Sequence, residues 1–228
     1  MADKIDATLV LLSFNEIESL NRMYDKIPID KIKQVFAVDP GSTDGTLDFY
    51  KKKDMPCVIQ EKRGRAEAFR IGIREAKHEN VVFFSVDGNE DPEDITKLLK
   101  LLEDGYDMAI ASRFMPQSKA DDSNDLVPYR SFGNKAFTIA ANILFRGKLT
   151  DSINGFRAIT QTAFKKLNPD TEGFGIEFQI SIRALKQKLK IKEIPTKEED
   201  RLGGASTAHT FETGWLFIKL LVKEFFKR

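Results

Sequence analysis

The chain has 228 residues, 41% of them hydrophobic and 31% charged, enough for one core that buries roughly three-quarters of the unfolded surface. That balance excludes a disordered chain and a collagen-like repeat. The 36 basic and 35 acidic residues nearly cancel to a net +1, so whole-molecule charge gives no reason to propose a nucleic-acid partner, and any anion site must be local.

Apolar runs of strand length lie at Ala7–Phe14, Gln34–Val38, Pro56–Gln60, Val81–Val86 and Met108–Ser112, rich in Val, Ile and Phe as strands buried on both faces should be. Helical patterns at Ile17–Lys26, Thr43–Lys53, Ala66–Lys77 and Pro92–Glu103 alternate with them. This alternation predicts an α/β fold with a mostly parallel central sheet and helices on both faces. Ser42 or Asp44 can cap the second helix, and Asp91 before Pro92 is a cap followed by a first-turn proline. Past Ser112 the polar stretch Pro116–Asp125 reads as a loop. A helix near Ser131–Phe145, a strand near Phe156–Thr160, a helix near Ile176–Lys188 and a strand near Ile191–Ile194 follow. Lys197–Ser206 is a second loop, and Phe211–Arg228 is a terminal amphipathic helix of a single domain, 1–228.

Ligands of open α/β sheets sit beyond the carboxyl ends of the strands, so Ser13–Glu16, Asp39–Gly45 and Asp87–Asp91 should converge on one cleft. The run Asp39 to Thr46 fits either a capped strand-to-helix turn or a binding loop. Arg63-Gly64-Arg65 opens the third helix, and the fourth strand ends in Asp87-Gly88-Asn89-Glu90-Asp91. Clustered acids repel one another, and hard oxygen ligands at short spacing suit Mg²⁺ or Mn²⁺ bridging a diphosphate; the plainer reading is helix capping with solvated acids. The single cysteine, Cys57, has no disulfide partner within the chain and no Cys/His pair has zinc spacing, which favours a reducing, cytoplasmic compartment. Met1 to Asp6 does not resemble a signal peptide, and no stretch approaches the roughly 20 apolar residues of a membrane span.

Six segments, VLLSFNEIESL, AVDPGSTDGTLDF, FSVDGNEDPEDI, ASRF, DSINGFRAI and RLGGAS, stand in the order seen in family 2 inverting glycosyltransferases of GT-A fold. Together they span Val10 to Ser206, and the chain resembles most the dolichyl-phosphate or polyprenyl-phosphate mannosyl- and glucosyltransferases. The resemblance implies a nucleoside diphosphate sugar, GDP- or UDP-linked, as donor. It places Ser13, Asn15 and Glu16 in the first nucleotide loop, Asp39 at the base or ribose, and Gly64 and Arg65 beside the donor. Asp87 matches the first acid of an Asp-x-Asp metal motif that continues through Gly88. Arg113 and Arg130 fall where this branch has arginines for the acceptor phosphate, and Arg157 belongs to the Gly-Phe-Arg signature. Arg201, Gly204 and Ser206 match a late loop that closes over the donor diphosphate.

The chain also departs from the pattern. Asn89 replaces the second acid, so Asp87 and Asn89 with Asp91 are the expected metal ligands; Pro40, Arg65-Ala66 and Asn134 are further differences.

An inverting transfer to a hydroxyl needs a general base, whereas a lipid phosphate is already anionic near neutral pH. The base motif and the Gln-x-x-Arg-Trp motif of processive synthases are missing, which fits a phosphate acceptor oriented by guanidinium groups; surface salt bridging is the bland reading of those arginines. The expected reaction moves a hexose to a polyprenyl phosphate, and the rivals are a hydroxyl acceptor and a nucleotide-sugar-binding protein with little catalysis. Glu177 fits either the acceptor cleft or a pair with an arginine, and His78 and His209 are isolated and carry no assigned role. In the last helix Lys219, Lys223 and Lys227 recur beside Trp215, Leu216, Ile218, Val222, Phe225 and Phe226, which suits either a membrane surface or packing on the core.

Overall fold

In the computed structural model, residues 3–120, 129–199 and 210–227 are described. A seven-stranded sheet runs through the molecule. Its strands are β1 (Ile5–Leu12), β2 (Ile32–Asp39), β3 (Cys57–Ile59), β4 (Asn80–Ser85), β5 (Met108–Ser112), β7 (Arg157–Thr160) and β8 (Ile191–Pro195), in the order β3-β2-β1-β4-β7-β5-β8. All neighbours are parallel except β7, which lies antiparallel between β4 and β5. Leu12 pairs with Val38 on one side and Ser85 on the other, so β1, β2 and β4 end level and their loops open on one edge.

The period-2 alternation of each strand divides the core in two. Leu9, Leu11, Val82, Phe84, Ala109 and Ala111 face one layer, with α1 (Ile17–Met23), α2 (Thr46–Lys52) and α4 (Asp94–Glu103). Val10, Leu12, Val81, Phe83, Met108 and Ile110 face the other, with α3 (Arg65–Glu75), α6 (Gln161–Leu167) and α7 (Ile176–Lys186). Each such buried side chain contributes about 1.5–3 kcal/mol against exposure. On α3 the approach is close enough to require Gly72, where a Cβ would meet Phe83 Cε1 at 2.5 Å.

The alternation predicted from sequence is present, with local differences. The first predicted helix ends at Met23 and tightens into a 3₁₀ turn at Tyr24–Lys26. Neither Ser42 nor Asp91 caps a helix: α2 starts behind left-handed Gly45, and Asp91 closes a turn onto the Glu93 N–H at 3.0 Å before α4 begins. Asp44 Oδ1 does accept from the first helical N–H, that of Thr46, at 3.0 Å. The helix α6 escaped the periodicity reading, and Thr160 Oγ1 caps it by accepting from Ala163 N. The two loop segments are partly ordered against each other, as β6 (Lys119–Ala120) pairs with β9 (Lys197–Glu198) in a second sheet. His78 is half-buried against Asp6 at 2.8 Å, and His209 lies outside the described residues.

A third cluster joins α7 to α5 (Tyr129–Phe145) and the terminal α8 (Thr210–Phe226) through Phe137, Ala141, Phe178, Ile182, Phe217, Leu220 and Leu221. One face of α8 therefore packs on the core, while Trp215, Ile218, Val222, Phe225 and Phe226 on the other side are exposed. Among the described residues no helix is long and apolar enough to cross a membrane.

Candidate active site

The level ends of β1 and β2 carry two loops that lock together. Asp39 is fully buried, and its carboxylate accepts from Ser13 Oγ (2.7 Å), Gly41 N (2.8 Å), Ser42 N (2.7 Å) and Ser42 Oγ (2.7 Å). Both oxygens are thus occupied by the chain itself, so in this structure Asp39 shapes the loop from inside. Asn15 completes the lock: its N–H donates to Ser42 Oγ at 2.8 Å and its Oδ1 accepts from Thr43 N at 2.9 Å. Glu16 is buried beside it, with its N–H on Thr46 Oγ1 at 2.9 Å and Oε2 accepting from Ser19 Oγ at 3.2 Å.

These loops form one wall of a cleft of about 300 Å³. Ser13, Phe14, Glu16 and Pro40 line it with Gln60, Arg63 and Gly64 from the segment between β3 and α3, Arg65 at the first position of α3, Ser85 and Asp87 at and just past the end of β4, and Gly173 and Phe174. Of the residues expected at the donor, Ser13, Glu16, Gly64, Arg65 and Asp87 meet here, and Asn15 and Asp39 brace the wall. Arg63 lies 5.3 Å from the Phe14 ring centroid and donates from Nε to the Pro40 carbonyl at 3.2 Å, giving one end of the cleft an aromatic and cationic lining. Phe14 stands inside a quoted motif and Phe174 between two glycines; neither position carries a period or charge signal that would single it out.

The acid loop sits at the other end. Gly88 turns the chain at φ +89°, and Asp87 Oδ1 accepts from Asn89 N at 3.4 Å. Asn89 Oδ1 is buried with no hydrogen-bond partner, an amide oxygen next to a carboxylate. Glu90, which sequence reasoning left unassigned, is buried with Oε2 accepting from Ser85 N at 2.7 Å, and burial together with the Asp87 charge holds its carboxyl well above 4.5. Asp91 is turned to Glu93 N. Among the described residues no group of three or more His, Cys, Asp or Glu side chains is placed to hold a metal ion. The Asp87 carboxylate and the unpartnered Asn89 amide oxygen are hard donors that would suit a divalent cation such as Mg²⁺ or Mn²⁺.

The arginines differ from their expected placing. Arg113 makes a two-pronged contact with fully buried Asp151, Nε–Oδ2 at 2.7 Å and Nη2–Oδ1 at 3.1 Å. Burial alone would lower its pKa, but Asp151 outweighs that and raises it. Arg157, expected at the acceptor phosphate, is instead fully buried: its guanidinium donates to the main-chain oxygens of Asn154 and Glu177 and to Ser181 Oγ, so it braces the loop before β7 from within. Burial, without a carboxylate in contact, pushes it down to about 10. Arg65 pairs through Nε with Glu177, which settles Glu177 as an arginine partner. That pair lies over Gly155, where a Cβ would overlap Arg65 Nη2 and come within 3.1 Å of Glu177 Oε1. The backbone of Arg130 is in α5 but its side chain lies outside the described residues, as do Arg201, Gly204 and Ser206. Glu199, the last described residue before them, donates from its N–H to the Asn89 carbonyl at 3.0 Å. Lys135 of α5 was not foreseen; it stands 4.9 Å over the Phe114 ring, with Arg113 5.3 Å from the same centroid.

The profile of "Glycosyl transferase family 2" covers residues 8–167. The chain is 26% identical over 204 residues to the glycosyltransferase AglJ of Haloferax volcanii, covering 89% of this chain and 66% of that protein, just under two-thirds. It is 25% identical to a dolichyl-phosphate hexose transferase of the same organism, over 87% of this chain and 85% of the relative. Among solved structures, the glucosyl-3-phosphoglycerate synthase of Mycobacterium tuberculosis in complex with Mn²⁺, UDP and phosphoglyceric acid superposes with a TM-score of 0.75 at 18% identity, over 99% of this chain and 79% of that one. The shared fold is GT-A.

Proposed function

From membership of glycosyl transferase family 2, to which this chain belongs, we propose that it is an inverting hexosyltransferase that moves a sugar from a nucleoside diphosphate to a polyprenyl phosphate at the cytoplasmic membrane face. The cleft at the level strand ends takes the donor: Phe14, Pro40, Arg63 and Phe174 surround the base, and Ser13, Glu16, Gly64 and Arg65 run from there to Asp87. A divalent cation, Mg²⁺ or Mn²⁺, would be held by Asp87 and Asn89 and, when bound, would offset the charge gathering on the departing diphosphate. The donor nucleotide and sugar follow from the shape of the base end and are read out by the assay below.

The observation that carries the phosphate acceptor is the pairing of the nearby acids. Asp151 is fully buried and held by Arg113, and Glu177 is nearly so and held by Arg65. Arg113 holds the Asp151 carboxyl below its ordinary value, so Asp151 is a poor proton acceptor, and Glu177 keeps its Oε1 on the Arg65 guanidinium. An anionic phosphate needs no such base and can attack in line once oriented. Arg113 and Lys135, both beside the Phe114 ring, would supply, with Arg130 as the third arginine expected there, the positive charge that orients it and lessens its repulsion from the donor.

The test is transfer itself. The protein with Mg²⁺ or Mn²⁺, a panel of UDP- and GDP-sugars and dolichyl phosphate should yield a lipid-linked sugar with one donor preferred, and Asp87→Ala should lower the rate by about 100-fold or more, the usual loss for a group that stabilises developing charge. Nucleotide binding without turnover for any donor would contradict the reading.

A further inference from the structure

Gly173 and Phe174 reach the cleft from the segment 168–175, which joins α6 to α7 with a 3₁₀ turn at Gly173–Gly175 as its one regular element. Its backbone is bent twice into the left-handed region, at Asn168 (φ +44°) and Gly173 (φ +59°). Main-chain groups in such a segment lack a ladder and must find other partners. Here side chains of α7 supply them. Gln179 is fully buried, and its Oε1 accepts from Asp170 N and Thr171 N, both at 2.9 Å. Buried Arg183 donates from Nη1 to the Leu167 carbonyl at 3.1 Å and to that of Asn168, and from Nη2 to Asp170 Oδ1 at 2.5 Å.

Behind both stands a carboxylate that the proposed reaction does not use. Glu224 of α8 is 1% exposed, and its Oε1 accepts from Gln179 Nε2 at 2.9 Å and from Arg183 Nε at 2.8 Å. The opposite side of the segment is tied toward α3: Arg70 donates to the Thr171 carbonyl, and Lys62 meets Glu172 at 2.6 Å. Helix α8 also closes the base of the turn, because a Cβ on Gly175 would meet Leu220 Cδ1 at 2.8 Å and Leu216 Cδ2 at 3.1 Å. Such a network exceeds what holding two helices together needs. Buried ion pairs are often no better for stability than apolar side chains of similar volume, and α7 and α8 already share an apolar contact through Phe178, Ile182, Phe217 and Leu221. What the polar groups add is a fixed path for the main chain up to Thr171, three residues before Phe174.

We propose that Gln179, backed by Arg183 and Glu224, is a positioning residue of the donor cleft: it fixes the path of the 168–175 segment and so holds the Phe174 ring against the nucleotide base. This rests on the proposed placing of the base among Phe14, Pro40, Arg63 and Phe174. Stacking of a base on an aromatic ring depends on where the ring is held, and the network lies directly under the turn that carries it.

Titration calorimetry with UDP and with GDP, each in the presence of Mn²⁺, compares the parent with Gln179→Met, Phe174→Ala and the double variant. Methionine keeps the length of the side chain and removes its hydrogen bonds. Each single substitution should weaken the more tightly bound nucleotide by about tenfold, the size of one base–aromatic stack. The double variant should bind as weakly as Phe174→Ala alone, because both losses run through the same ring. Losses that multiply to about a hundredfold, or undiminished affinity in Gln179→Met, would overturn the proposal. Should Gln179→Met fail to fold, Asp170→Ala at the half-exposed end of the network replaces it, and its smaller loss should likewise vanish in the Phe174→Ala background. No nucleotide binding by the parent would overturn the donor reading and this proposal together, whereas multiplied losses overturn this proposal alone.

Discussion

At the scale of single residues, charge in the acceptor half is held by burial and pairing. Burial pushes the Asp151 carboxyl up, and the Arg113 guanidinium with its hydrogen bonds reverses this, leaving the carboxyl below its ordinary 3.8. A carboxyl lowered by folding contributes stability above 3.8, and that contribution is lost as pH falls through the folded value. Arg113→Met strands a buried anion and should cost about 3 kcal/mol near neutral pH. In urea titrations the gap between variant and parent should shrink as pH is lowered toward 3.8 and beyond, because protonated Asp151 no longer needs a cation; a gap constant with pH would refute the pairing as the source of the loss. The arginines were legible as a set only through the resemblance of the segments ASRF, DSINGFRAI and RLGGAS to the family's motifs. Their division into one that is closed inside, Arg157, one clamped by an acid, Arg113, and one over a glycine, Arg65, was not, because burial depends on which strand β7 inserts between.

At the scale of elements, the first five strands were readable because Val, Ile and Phe runs buried on both faces stand out against the helices that separate them. The direction of β7 and the existence of α6 were not: a four-residue strand has no orientation signal, and α6 begins on the residue after β7, with no polar segment between them to mark a new element. The same local blindness moved the helix starts, since Ser42 is bonded to Asp39 and Asn15 and leaves the capping position to Gly45. Between elements, Gly155 sets the distance from the loop before β7 to α3 and α7. Gly155→Ala should displace the Arg65 and Glu177 side chains and weaken binding of a nucleoside diphosphate by about tenfold, equivalent to about 1.4 kcal/mol. Gly133→Ala, whose added Cβ meets nothing within 4 Å, is the control that should bind as the parent does. Equal affinities in a calorimetric titration of the two variants would show that the pair does not serve the donor cleft.

At the scale of the whole molecule, a net charge of +1 conceals a segregated field. Asp87 lines the cleft, and its charge and that of Glu198 help to raise the pKa of buried Glu90, while the same acids help to hold up the pKa values of Arg65 and Arg113. In the proposed reaction the acceptor brings its own negative charge and no carboxylate of the chain serves as base. Offering the donor sugar to polyprenyl phosphate and, in parallel, to the corresponding polyprenol tests this most directly. Transfer to the phosphate with none above background to the alcohol is the predicted result; transfer to the alcohol at a comparable rate would contradict the account.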